Sequence, residues 1–146
     1  MSTESAGDFG LLYTDYFFPT GNRFSDYSDT SAHFLEAAVS YSGPASFPIS
    51  IFFGYTFKPS NLKALYWEVG YSASIDAFGL DIFVGGTDGG EGGYYGATEF
   101  AAINTGFKTS QDIKLSNSLL MPLFVSVIVN ANAENVYIVF GVGLKI

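Results

Sequence analysis

The chain has no cysteine among its 146 residues, which excludes a disulfide framework, a thiolate metal site and a cysteine nucleophile. Basic residues are scarce: six Lys plus Arg stand against 14 Asp plus Glu, for a formal net charge of -8. A nucleic-acid binder needs a basic stripe to meet phosphates, so that class is excluded. Charge of either sign is low as well, at 14% of residues, where an ordinary soluble domain carries about 25%. A fully water-facing surface is hard to build from so little charge, and the 18% aromatic content excludes intrinsic disorder. The segment 1–7 has neither a basic nor an apolar stretch, so no signal peptide is read there. Long apolar runs are missing too. Residues 37–57 and 115–133 are free of charge, but Gly43, Pro44 and Pro48 interrupt the first, and Ser116, Asn117, Ser118, Pro122 and Asn130 the second. Neither supplies the about 20 apolar residues of a transmembrane helix.

What the sequence does have is alternation with a period of two, the mark of strands with one apolar face. In Phe47–Phe57 the odd positions Phe47, Ile49, Ile51, Phe53, Tyr55 and Phe57 oppose Pro48, Ser50, Phe52, Gly54 and Thr56. At the carboxy end Val136, Ile138, Phe140, Val142, Leu144 and Ile146 oppose Tyr137, Val139, Gly141, Gly143 and Lys145. Extending this reading predicts a disordered tail over 1–7 and one domain over 8–146. That domain holds eight strands, at 8–19, 32–42, 47–57, 64–74, 78–87, 100–115, 119–130 and 136–146. Residues 32–42 and 97–104 are Ala-rich and also compatible with helix, and the inward set of the first strand is left open by Asp15 among aromatics.

The connectors alternate in length. Residues 20–31 and 88–99 are long, whereas 43–46, 75–77 and 116–118 are short. If successive connectors lie at opposite ends, the short turns share one end with both termini, the layout of an outer-membrane barrel. The less apolar face decides what meets water. It carries Gly54, Gly70, Gly85, Gly106, Gly141 and Gly143 with several Ser, and its charges are Glu36, Glu68, Asp81, Lys108 and Lys145. Small residues with few charges suit the interior of an eight-stranded barrel, whose lumen side chains just fill. The apolar set then faces lipid, with Tyr41, Phe47, Tyr71 and Phe78 near one interface and Tyr55, Phe57, Leu65 and Trp67 near the other. The expected fold is thus all-β, an eight-stranded antiparallel up-and-down transmembrane β-barrel. Glu36, Glu68, Asp81, Lys108 and Lys145 are expected to form a lumen polar network, with Glu68 and Lys108 joined across a filled lumen that conducts few or no ions.

Several segments resemble an uncharacterised family of Gram-negative outer-membrane β-barrel proteins described as porin-like. They are Thr14-Asp15-Tyr16-Phe17-Phe18-Pro19, the run from Ala32 through Pro44, Phe47-Pro48-Ile49-Ser50, Gly92-Gly93-Tyr94-Tyr95-Gly96, Ile103-Asn104, Asp112-Ile113-Lys114 and Val136–Gly141. The resemblance spans nearly all of the chain and implies a bacterial outer-membrane location, with lipid or detergent as partner and small solutes as cargo. It also implies a signal peptide and further strands upstream of Asp15–Pro19, neither of which this sequence contains. Ile146 stands where such barrels commonly end on an aromatic residue.

Other chemistries find little support. His33 is the lone histidine, at the loop end of its strand with Glu36 on the opposite face, and reads as a rim residue rather than a catalytic base. Gly89-Gly90-Glu91-Gly92-Gly93 lacks the Lys and following helix of a phosphate loop. Asp26, Asp29, Asp88, Glu91 and Glu99 lie in the two longest connectors, with no EF-hand spacing. No catalytic, cofactor or metal site is assigned. The alternatives kept open are a soluble lipid-binding barrel and an outer-membrane lipid-modifying enzyme.

Overall fold

The computed structural model describes residues 2–3, 6–19, 23–28, 32–90 and 93–145. They form one antiparallel sheet of nine strands in sequence order. A two-residue strand β1 (Ser2–Thr3) pairs with the start of β2 (Gly7–Phe17), within the segment expected as a tail. Then follow β3 (His33–Ser42), β4 (Ile49–Lys58), β5 (Ala64–Ile75), β6 (Phe78–Thr87), β7 (Ala101–Ser116), β8 (Leu119–Asn130) and β9 (Asn135–Val142). The eight long strands are the eight read from alternation. Both Ala-rich segments lie outside helix: 33–42 is strand, and 97–100 leads into β7 without regular structure.

The turns follow local chemistry. Asp76 adopts φ 53° in the tight β5–β6 turn, a left-handed conformation that Asp tolerates. Asn130 Oδ1 accepts the Ala133 amide in the β8–β9 turn. Strand β4 starts at Ile49 rather than Phe47, because the Phe47 amide donates to Pro44 O within the turn, and Pro48 has no amide to give a ladder.

The register settles the faces. One row reads Gly10, Ser40, Phe52, Glu68, Gly85 and Asn104 across six neighbouring strands, and another Ser72, Asp81, Lys108, Ser126 and Val139. This inner face is the more enclosed, with Glu36, Ala38, Thr56 and Ser126 buried. The first long strand turns Gly10, Leu12, Thr14 and Tyr16 inward, since they pair with Ser40, Ala38, Glu36 and Phe34.

The expected closed barrel is not formed. Among the described residues, β9 pairs with β8 alone, and β2 pairs only with β3 and, at Asp8 and Gly7, with β1, so the sheet is open with two edges. Alternation fixes which residues share a face but carries no information on whether the first and last strands meet.

Candidate functional site

The four connectors at 18–32, 59–63, 88–100 and 131–134, the two long ones among them, lie at one end of the sheet, as antiparallel order requires. Two of them are fastened there by side-chain clusters, one on each face.

On the inner face the cluster is built around two carboxylates. Gly54, beside Glu36, leaves room for its side chain: a Cβ at Gly54 would lie 3.0 Å from Glu36 Cδ. Gly85 likewise makes room for the Tyr66 hydroxyl, which a Cβ there would overlap. Glu36 accepts hydrogen bonds from Tyr16 at 3.4 Å and from Tyr95 at 3.1 Å. Glu68 accepts from the Tyr66 hydroxyl at 2.6 Å and from Asn104 Nδ2 at 2.8 Å, and that amide also donates to the Tyr66 oxygen at 2.7 Å. Tyr95 comes from the connector between β6 and β7, which therefore folds inward. Its ring lies 5.6 Å from that of Tyr66, and Tyr94 stacks on Phe34 at 5.6 Å. Asn132, in the β8–β9 turn, donates to Gly96 O at 2.8 Å and ties down the same connector. Burial pushes the Tyr94 and Tyr95 hydroxyls above their ordinary pKa, and the negative charge of Glu36 adds to the rise. Both stay protonated at neutral pH, and Tyr95 there serves as a hydrogen-bond donor to Glu36.

The other end of the inner face differs in kind. Asp81 accepts from Ser72 Oγ at 2.7 Å, and Lys108, paired with Asp81 in register, extends its Nζ over the Phe124 ring at 5.1 Å. Pro48, Ser72, Ser74, Gly79, Asp81 and Ser110 help line an open recess of about 510 Å³. Lys145 bridges to Leu120 through the backbone beyond the end of β9.

Among the described residues, no hydrogen bond or ion pair directly joins any two of the five expected network residues, Glu68 and Lys108 included. The register places Glu68 opposite Gly85 and Asn104, while Lys108 lies four residues further along β7, about 13 Å away along the strand. Both residues share the inner face, but the register sets them four positions apart along the sheet.

On the outer face, His33 is fully buried beneath the β2–β3 connector. Its Nδ1 lies 2.7 Å from Asp15 Oδ1 and its Nε2 2.7 Å from Phe24 O. Each ring nitrogen faces an acceptor oxygen, so the ring is held at both ends. Tyr27 stacks on the imidazole at 4.0 Å and donates to Asp15 Oδ2 at 2.9 Å. That hydrogen bond raises the Tyr27 pKa. Lys58 Nζ donates to Tyr27 O and sits 5.5 Å from its ring centroid. The imidazole thus holds a connector down, with both nitrogens engaged. Asp15, Tyr27, Lys58 and Tyr95 were not singled out from the sequence as partners, because each contact depends on hairpin register or loop path. Asp29 and Glu91 lie outside the described residues.

Comparison of the chain with known protein families, curated proteins and solved structures finds no match.

Proposed function

We propose that this chain is an outer-membrane β-barrel protein, porin-like or structural, whose sheet is a transmembrane wall. The observation that carries the reading is the outer face. Among the described strand residues, it bears Asp, Glu, Lys, Arg or His only at Asp15, His33 and Lys58, all within the cluster at the loop end. Elsewhere it exposes Leu11, Val39, Phe53, Val69, Ile82, Phe107 and Ile138, among others. This apolar surface runs across eight strands, where a water-soluble monomer rarely exposes contiguous apolar patches beyond a few hundred Å². Each of these strands has 8 to 16 residues, in keeping with the 9 to 11 that about 30 Å of hydrocarbon requires. Aromatic pairs sit toward both ends, Phe9 with Tyr41 at 4.8 Å and Trp67 with Phe100 at 5.7 Å, as interfacial girdles do. Shallow furrows of about 450 and 470 Å³ run between these side chains, at Leu11, Ala37 and Tyr55 and at Phe9, Ile51 and Phe53. They offer seats for acyl chains.

In this reading the inner face is lined by side chains and covered at the loop end by the in-folded connector, and the long connectors lie outside the cell. The wall needs no reactive group, and the one imidazole has both nitrogens engaged, which favours a non-enzymatic role. Val127→Arg tests the assignment. At mid-depth on the lipid side an Arg costs about 2 to 4 kcal/mol, so the yield of folded protein in lipid vesicles should fall steeply. Unchanged folding of Val127→Arg in lipid, or a detergent-free soluble monomer of the unaltered chain, overturns the reading.

A further inference from the structure

The two open edges of the sheet match each other. β9 offers all eight of its residues along its free side, and β2 offers nine, Phe9–Phe17, beyond the two that β1 covers. β2 runs toward the loop end and β9 away from it, so the two edges pair antiparallel when both loop ends point the same way. The β9 edge carries none of the protective features by which natural sheets blunt an edge: no Lys, no Pro and no charge from Asn135 to Val142. Its side chains are exposed on both faces, Phe140 at 82% on the outer and Tyr137 at 49% on the inner, and Leu11 on β2 is 88% exposed.

We propose that a second copy of this chain completes the sheet, with β9 of each copy pairing with β2 of the other to make a sixteen-stranded closed wall. The inference rests on the membrane reading for its driving force, because lipid offers no hydrogen bonds to a row of unpaired backbone groups. Closure of one chain on itself is disfavoured by what the inner face already holds. An eight-stranded barrel has room for little beyond its own wall side chains. Here Phe52, Tyr66, Phe83 and Phe124 project inward, and the 93–97 segment lays Tyr94 and Tyr95 against the same face. A sixteen-stranded wall accommodates both in-folded connectors around a wider lumen. Two seams engage seventeen edge residues from each copy. With flanking residues, that approaches the about 20 to 30 a side of a standard stable interface.

The absence of native cysteine makes the test direct. Chains carrying Leu11→Cys or Tyr13→Cys are co-refolded in detergent with differently tagged Ile138→Cys chains and treated with a short bifunctional maleimide. The mass of the unaltered particle is read by light scattering corrected for detergent. The expected result is a two-copy particle and a covalent product containing both tags. A one-copy particle overturns the proposal, as does a Leu11→Cys/Ile138→Cys double variant that links only within itself. A two-copy particle in which neither β2 cysteine links to Ile138→Cys overturns it too. Flotation with vesicles separates this from the membrane reading: a linked pair that does not float removes the membrane and keeps the seam, while a floating single copy does the reverse.

Discussion

The β2–β3 and β6–β7 connectors leave the same end of the sheet and fold in opposite directions. The first closes over the outer face on an imidazole–carboxylate contact, His33 with Asp15, roofed by Phe24 and Tyr27. The second closes over the inner face on neutral phenols, Tyr95 donating to Glu36 and packing against Tyr66, which itself donates to Glu68, with no cation among the described partners. The outer clasp sits at the rim of an apolar surface, where its polar groups must satisfy one another. The inner clasp sits over a face of glycine, serine and carboxylates, where hydroxyl donors satisfy the acids without a counter-charge. The two clasps should therefore respond differently to truncation and to pH.

The largest expected effect is at the outer clasp. His33→Ala removes a fully buried ring that touches Phe17, Phe24 and Tyr27 and leaves Asp15 without its imidazole partner. Lost packing and lost hydrogen bonds of the buried ring together should cost about 3 kcal/mol. Urea unfolding in vesicles measures this, and faster trypsin cleavage after Arg23 should accompany it. A loss below about 0.5 kcal/mol, within the range of ordinary surface substitutions, would show that the clasp does not hold the connector.

Glu36→Ala should cost less, about 1 to 3 kcal/mol, by leaving the Tyr16 and Tyr95 hydroxyls without their acceptor. Glu36→Gln keeps a carbonyl acceptor and should recover part of the loss. Proteolysis within 93–100 should rise in Glu36→Ala while the 23–28 segment stays as protected as before. Equal exposure of both connectors would mean that they close as one unit and would erase the contrast.

How much of this was legible in the sequence differs between wall and clasps. Alternation placed all eight strands and put Glu36, Glu68, Asp81 and Lys108 on one face, because parity is a local property of an extended chain. Depth is not local: parity sets Glu68 and Lys108 on one face one strand apart, but the ladder brings Asn104 beside Glu68 and Asp81 beside Lys108. Closure is less local still, since it depends on how far the sheet coils and on what fills its inner face. The clasps were least visible. Tyr95 meets Glu36 across 59 positions through a loop whose path no periodicity describes. His33 read as a solitary rim residue, although Asp15 lies on the same face of the adjacent strand once Phe17 is known to pair with His33.

The smallest predicted effect separates the clasps by acid. Within the outer connector, Asp26 Oδ1 accepts the Ser28 amide at 3.0 Å, and this backbone hydrogen bond is the main reason its carboxyl is held below its ordinary value. A carboxyl whose pKa is lowered by folding contributes stability at pH above the ordinary carboxylate range and loses it as pH falls through the lowered value. Acid should therefore loosen the 23–28 turn below the ordinary carboxylate range. Tyr95 supplies no such dependence at low pH: its pKa is raised, so its contribution is full below the ordinary phenol value and fades only in strong alkali. Amide exchange followed from pH 5 toward pH 2, corrected for intrinsic rates, should show Ser28 losing protection over that range, and Asp26→Asn should flatten the dependence. Asp26 is exposed, so the change should be small. A Ser28 amide as protected at pH 2 as at pH 5 would show that the Asp26 hydrogen bond does not order the turn.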